Sequence, residues 1–582
     1  MKLKFLLNLK GVFKPKLFEV LVSGKYDKQT FISDLIAGVI VAIIALPLAI
    51  AFGIASGVTP QQGLITAIVA GFIISFFGGS NYLIGGPTGA FIVIIVGIIA
   101  QYGTVGLMIA TIMAGIFLVV MGLTRMGNIF KFIPFPIVIG FTSGIAMTIF
   151  TGQIKDFLGY TGSLPSGFVA QLRYYLTNFQ DVIANWPEAV LSIICLLVII
   201  SWGKFSKKIP GSLIAIFVGT GISLLLSHFG VYEFSTIGSK FPELSKGLSF
   251  PAMTLPEIDS KVGVFDTMKG LISPAFTIAL LCAIESLMAA MVADGATGKK
   301  HNSNTELIAQ GIANIVTPLF GGIPATGALA RTMASINNGG KTPVTGIVHA
   351  LVLLLIFFFL MPYVVHIPLG CLAAILVMVA YNMSEWRSFK YLLQGDKSDV
   401  AVLMITFLLT VFVDLTVAIQ FGVILAIVLF LRRVIETSTI TVVDDHEIFG
   451  TENEEIESPD NTDKFDIPDE IEVYEINGPF FFGVANRFEG FDAPNKHIQV
   501  RIIRMRKVPF IDSTGIHNLR SLFKRAQKRG IQIVLSGVND RVLATLIKFG
   551  LDKEIGREFI YPHIVPALEK AKELIQPKEE QS

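Results

Sequence analysis

GGIPATGALARTM, residues 321–333, opens like a loop, turns small and apolar, and carries one arginine, Arg331. No other Asp, Glu, Lys or Arg occurs between Leu307 and Gly340. A shortened copy, GGPTGAFIVII, stands at 85–95, with paired glycines, a proline, then Thr-Gly-Ala. The two copies lie in opposite halves of one long apolar region. Paired short segments, interrupted by Gly and Pro at corresponding positions of two halves, are the pattern of an inverted-repeat membrane fold.

The surrounding composition demands lipid. Hydrophobic residues make up 52% of the chain and charged residues 15%, with a mean hydropathy of +0.67. Soluble domains carry roughly 25% charge. No Asp, Glu, Lys or Arg occurs from Leu35 to Thr124, nor from Thr342 to Ser384. About 20 apolar residues already cross a bilayer, so the chain is predicted to be an α-helical polytopic membrane protein. Breaks at Pro and Gly divide it into about fourteen spans. The third, 87–101, and the tenth, 326–338, hold the two copies.

Lysine and arginine set the orientation. Arg125, Lys131, Lys204, Lys207, Lys208, Lys299, Lys300, Lys341, Arg387, Lys390 and Lys397 fall in alternate loops, which places both termini in the cytoplasm; the expected location is the inner (plasma) membrane. No cleavable leader is read, because the first long apolar run follows Asp34. A net charge of +2 speaks against nucleic acid as a partner. Cys195, Cys282 and Cys371 lie in apolar segments without metal-ligand spacing, so no metal site is expected. DGATGKK, 294–300, lacks the leading glycine of a phosphate loop, since position 293 is Ala293. With no other nucleotide pattern, neither a primary pump nor an enzyme is expected, and no cofactor. His349 and His366 read as packed core or interface residues.

Past Arg432 the composition changes. The acidic stretch 451–470 reads as linker. IEVYEI, IQVRIIRM and IQIVLSG then read as strands, with helices over 514–529, 538–549 and 563–575. The expected organisation is an N-terminal segment 1–32, a transmembrane domain 33–437, a linker 438–467, a small α/β domain 468–575 and a tail 576–582.

Two half-helices that start near mid-membrane aim their exposed N–H groups at a ligand. Each start carries about half a positive charge. Facing each other they make an anion site, and small residues let the anion approach the backbone. Thr88-Gly89-Ala90 and Thr326-Gly327-Ala328 are the expected first turns, with Arg331 one turn further on. The alternative is that the Gly-Pro pairs are kinks and the small residues helix packing.

Glu285 is the only charged residue between Lys269 and Asp294. Burying a charge at mid-membrane costs roughly 2.5–3.5 kcal/mol on insertion scales. Beside an anion site, a carboxylate is repelled by the bound anion, so anion binding favours its protonation. That is the physics of proton–anion symport. A structural ion pair between Glu285 and Arg331 is the other reading, and the two can coexist.

These residues resemble a known family. LIAGVIVAIIALPLAIAFGIASGVTPQQGL (35–64), GGSNYLIGGPTGA (78–90), CAIESLMAA (282–290), GGIPATGALARTMASINNGGKTPVTGIV (321–348) and VFVDLTVAIQFGV (411–423) resemble SulP-type anion transporters, and FIDSTGIHNL (510–519) resembles a STAS domain. The resemblance implies two inverted seven-span repeats arranged as a core and a gate, with substrate between the third and tenth spans. It implies a homodimer, and sulfate, bicarbonate, chloride or dicarboxylate as cargo. Carried over by motif, the substrate-binding residues are Phe52, Thr88, Gly89, Ala90, Gly327, Ala328, Leu329 and Arg331, and the proton-coupling residue is Glu285. Sodium-coupled relatives tend to have Asp at 285 and Thr at 289; here Glu285 and Ala289 weaken a sodium site. Leu48 stands where some members have glutamine. In the soluble domain, Ser513 and Thr514 are candidate regulatory phosphosites, although Asp, Ser and Thr there also suit a helix cap. The leading function is proton-coupled sulfate uptake by alternating access. Alternatives are a bicarbonate or dicarboxylate symporter and an uncoupled exchanger or channel.

Overall fold

Caps and breakers fix the ends of the membrane helices. Helix α1 (Lys16–Val22) is short; α2 (Lys28–Ala55) starts on Asp27, whose side chain accepts from Thr30 N. A capping box between Thr59 and Gln62, with Pro60 at the first position, starts α3 (Pro60–Phe77). The computed structural model describes residues 13–22, 24, 26–128, 134–162, 164–165, 167–205, 210–242, 264–413, 415–442, 467–483 and 497–575.

Strand β1 is Gly85–Gly86, followed by a 3-10 turn Gly89–Phe91 and α4 (Ile92–Leu123). Gly103 interrupts α4 with φ 67° and ψ −171°, a backbone region open to glycine and almost nothing else. The third and fourth expected spans therefore meet at one glycine. Then come α5 (Phe135–Phe157), α6 (Phe168–Thr177), α7 (Trp186–Phe205) and α8 (Gly211–His228). Next are α9 (Val264–Thr297), α10 (Ser303–Val316), β2 (Thr326–Gly327), α11 (Leu329–Asn337) and α12 (Val344–Val364). The series closes with α13 (Leu369–Met383), α14 (Trp386–Leu392), α15 (Lys397–Phe412) and α16 (Leu415–Thr437). Nine helices among the described residues are long and apolar enough to cross a membrane. Helix α11, at nine residues, is about 14 Å long against a hydrocarbon core of about 30 Å.

Helices α2, α3, α4, α9, α10, α11 and α12 pack mainly on one another, and α5, α7, α8, α13 and α15 form a second bundle. Fully buried Ala and Gly along α2, α3 and α12 let backbones approach.

The chain divides into two compact units, Met1–Ala426 and Ile427–Ser582. The second unit carries a four-stranded sheet in the order β3 (Thr439–Val442), β4 (Ile471–Asn477), β5 (Val500–Lys507) and β6 (Gln532–Ser536). β3 falls within the residues read above as linker and runs antiparallel to β4; β4, β5 and β6 are parallel. Helices α17 (Ser513–Lys528), α18 (Asp540–Lys548), α19 (Leu551–Ile555) and α20 (Ile564–Ile575) complete it. Ile503, Met505, Leu519 and Leu535 build one core, and Val473, Ile502, Val534 and Leu568 the other. Parallel strands with covered faces read as continuous apolar runs, as residues 533–535 of β6 do, whereas β5 buries Arg501 and Arg504 against Glu472 and Glu475.

Candidate functional site

The two glycine-proline copies meet. β1 and β2 pair antiparallel, with Gly85 opposite Gly327 and Gly86 opposite Thr326. Ala328 N donates to Ile84 O at 3.0 Å and extends the contact. The ladder takes up Thr326 and Gly327, so the tenth half-helix starts at Leu329, three residues later than expected, with Ala328 as its cap. Thr88 caps the other start, and the first turn, Gly89–Phe91, is a 3-10 turn. N–H groups of a first turn have no partner within their helix, so each start leaves donors at the crossing.

Polar side chains from four helices hold the ladder. Asn314, on α10, accepts from Ala325 N at 2.9 Å and donates to Ala325 O at 2.8 Å. Ser286 Oγ, on α9, accepts from Gly327 N at 2.9 Å and shares a 2.7 Å bond with Thr326 Oγ1. Thr66 Oγ1, on α3, accepts from Ile323 N at 2.8 Å, and Thr332 Oγ1 accepts from Ile84 N at 3.2 Å. Two buried carboxylates fix the flanking turns. Glu306 accepts from Gly79 N, Ser80 N and Gln310 Nε2 at 2.8, 3.2 and 2.9 Å. Asp34 accepts from Lys341 N at 2.7 Å, Thr342 Oγ1 at 2.5 Å and Thr345 Oγ1 at 2.9 Å. Tyr26 also donates to Asp34, and burial together with that carboxylate pushes its phenol up to about 12, so it remains a donor. Sequence reading missed this set. Its one legible signal is Glu306, Gln310 and Asn314, four residues apart on one helix face.

Arg331 is buried against the segment that leads into the third half-helix. Its side chain is 1% exposed, and Nη1 and Nη2 donate to Gly85 O at 3.3 Å and Pro87 O at 3.1 Å. A Cβ on Gly86 would collide with Nη1, which is why the paired glycines precede Pro87. Among the described residues Arg331 has no ion pair with Glu285. Glu285 turns instead to the third half-helix, where Thr88 Oγ1 donates to its Oε2 at 3.2 Å.

Four of the other site residues are accessible. Thr88, Glu285 and Ala328 are half-buried and Leu329 is 41% exposed. Gly89 faces the second bundle. A Cβ there would lie 2.9 Å from Met383 Sδ, 3.3 Å from Ile149 Cδ1 and 3.4 Å from Phe52 Cε1. Phe52 and the Thr88–Ala90 turn are thus brought together, while Met383 and Ile149 are wall residues the sequence did not mark. A Cβ on Gly327 would meet Leu83 Cδ2 at 2.7 Å. Ala90 is fully buried, so its contribution is backbone. Among the described residues no group of three or more His, Cys, Asp and Glu is placed to hold a metal.

In the soluble unit, Asp512 caps α17, accepting from Gly515 N at 2.7 Å and from Phe482 N at 3.2 Å. Ser513 is exposed and Thr514 half-buried at that helix start.

Known proteins carry the same arrangement of segments. The sulfate permease family matches residues 31–406 and the STAS domain residues 464–571. YvdB of Bacillus subtilis, described as a candidate sulfate transporter, is 39% identical over 545 residues, 92% of this chain and 97% of that one. The bicarbonate transporter BicA of a Picosynechococcus strain is 29% identical over 92% of this chain and 93% of its own. The structure of murine Slc26a9, an anion transporter in the inward-facing state, superimposes with a TM-score of 0.82 over 97% of this chain and 94% of that chain. At 18% identity that likeness shows the fold alone. With the paired half-helices, the membrane helices and the soluble α/β unit in place, the chain belongs to the sulfate permease family of anion transporters, as a multi-pass membrane protein with a C-terminal STAS domain.

Proposed function

We propose that the chain is a secondary active transporter that couples uptake of an inorganic oxyanion, sulfate foremost, to protons by alternating access. The carrying observation is the 3.2 Å bond from Thr88 to Glu285. It sets the one carboxylate of that stretch of α9 beside a half-helix start that favours anions. An anion bound there raises the cost of a second negative charge nearby, so cargo and proton load together. Thr88, Gly89 and Ala90 act with Gly327, Ala328 and Leu329 as the two starts, and Phe52 forms an apolar wall. Arg331 supplies positive potential from behind the turn rather than by contact. The two bundles serve as core and gate, in about fourteen spans, of a homodimer in the inner (plasma) membrane with cytoplasmic termini. The domains run 1–32, 33–437, 438–467, 468–575 and 576–582.

The bicarbonate reading is kept because BicA is among the relatives. A dicarboxylate symporter and an uncoupled exchanger or channel are the remaining alternatives. Uptake of labelled sulfate, bicarbonate, succinate and chloride into proteoliposomes, with and without a pH gradient, separates them. Proton-driven accumulation of sulfate supports the proposal; uptake indifferent to the gradient overturns the coupling.

A further inference from the structure

The first bundle contains a polar seam behind the ladder that the site above does not use. Ala67, Gly71 and Ser75 recur every four residues on α3 and form one ridge. The Arg331 guanidinium lies on that ridge: the Cβ position of Gly86 that Nη1 occupies is 3.4 Å from Ala67 Cα. One turn along, a Cβ on Gly71 would stand 3.3 Å from Gly85 O, the acceptor of Arg331, and 3.4 Å from Nδ1 of His349. One turn further, Ser75 Oγ packs on Gly346, which precedes His349 by three residues on α12. Ser335 follows Arg331 by one turn on α11 and packs on Gly340.

These groups are sealed from solvent: Ser75 is 3% exposed, Ser335 and His349 0%. Among the described residues, both ring nitrogens of His349 and the hydroxyls of Ser75 and Ser335 have no hydrogen-bond partner. Packing alone does not account for them, since leucine and alanine would fill such sites without burying unpaired polar atoms. The guanidinium supplies the complement. It has five N–H donors in a fixed fork, of which Gly85 O and Pro87 O take two. An imidazole offers the acceptor that Arg lacks, and buried polar groups left over in this way are bridged by ordered water with two to four partners.

We propose that His349 is a positioning residue for Arg331. With Ser75 and Ser335 it holds ordered water against the outer edge of the guanidinium and so locks the fork on the two carbonyls that aim the third half-helix. The proposal rests on the reading of Arg331 as the source of positive potential.

The test uses the full chain in proteoliposomes, with sulfate and bicarbonate as probes. His349→Leu is expected to raise the anion KM about tenfold with the maximal rate within about threefold, while His349→Gln stays within about threefold of the parent. In an Arg331→Lys background His349→Leu should have no further effect, because the fork it serves is gone. An unchanged KM in His349→Leu, an equal loss in Leu and Gln, or the same added loss in the lysine background each overturns the proposal. If Arg331 itself has no part in anion binding, Arg331→Lys alone will keep the parent KM, a distinct result. Should His349→Leu fail to fold, the double variant Ser75→Ala, Ser335→Ala decides: a KM rise above about threefold supports the proposed bridging water and none overturns it.

Discussion

Thr88 Oγ1 donates to Glu285 Oε2 at 3.2 Å, joining the cap of one half-helix to the lone carboxylate of that stretch of α9. Arg331, the other charge at the crossing, is committed to the carbonyls of Gly85 and Pro87. The two charges therefore serve separate partners, and their substitution should have separable consequences.

Glu285→Gln keeps the shape of a protonated carboxyl and can still accept from Thr88. It breaks no ion pair, so its thermal midpoint should stay within a few degrees of the parent. Anion binding and anion-for-anion exchange should persist, and accumulation driven by a pH gradient should vanish. Undiminished pH-driven uptake by this variant rules Glu285 out as the proton carrier.

Arg331→Ala strands two buried carbonyls. Hydrogen bonds to a charged donor contribute about 1.5–3 kcal/mol each, so stability should fall by roughly 3–6 kcal/mol. Anion affinity should fall too, and further for sulfate than for bicarbonate, because the Coulomb term doubles with the anion's charge. An equal factor for both anions, measured in folded protein, argues against a field effect.

At the half-helix starts, backbone approach should matter more than side chains. Gly89→Val fills the space in front of Met383, Ile149 and Phe52, and Gly327→Val drives into Leu83. Each should weaken anion binding by more than about 100-fold. Thr88→Ala removes one net hydrogen bond and should cost only about 0.5–1.5 kcal/mol. Parent-like affinity in both valine variants contradicts a site between the starts.

For the STAS domain the measurable quantity is stability. Asp512→Ala loses the cap on Gly515 N and the bond to Phe482 N, which should lower its unfolding free energy by about 1–2 kcal/mol. Chemical denaturation of the full chain, followed by a probe in α17, reads this directly; no shift means that the cap is dispensable.

Some of this was legible in the chain and some was not, for physical reasons. The half-helix pair shows itself because glycine, proline and threonine recur in one order at 85–90 and 321–328, where few residues tolerate such backbone. The Gly103 break shows itself for the same reason. The strand pairing of Gly85 with Gly327 leaves no mark, since backbone hydrogen bonds need no particular side chain. Arg331 is conspicuous as a lone charge, but its acceptors are carbonyls, which every residue has, so a pairing with Glu285 stayed open until the structure turned each elsewhere. Asp34 looks like a boundary residue at the edge of an apolar run. Its five donors come from Tyr26 and from 341–345, and that proximity exists only in the folded bundle.

The ladder between Gly85–Gly86 and Thr326–Gly327 has one more consequence on the proposed mechanism. Two halves of a binding site that are stitched together, and clamped by one guanidinium, must travel whole. The half-helix cradle then stays the same whether it faces inside or outside, and only the wall from the second bundle, Met383 and Ile149, can change between the two stations. A difference between the dissociation constants measured from the two sides then belongs to that wall, and the direction of net flow to the gradients.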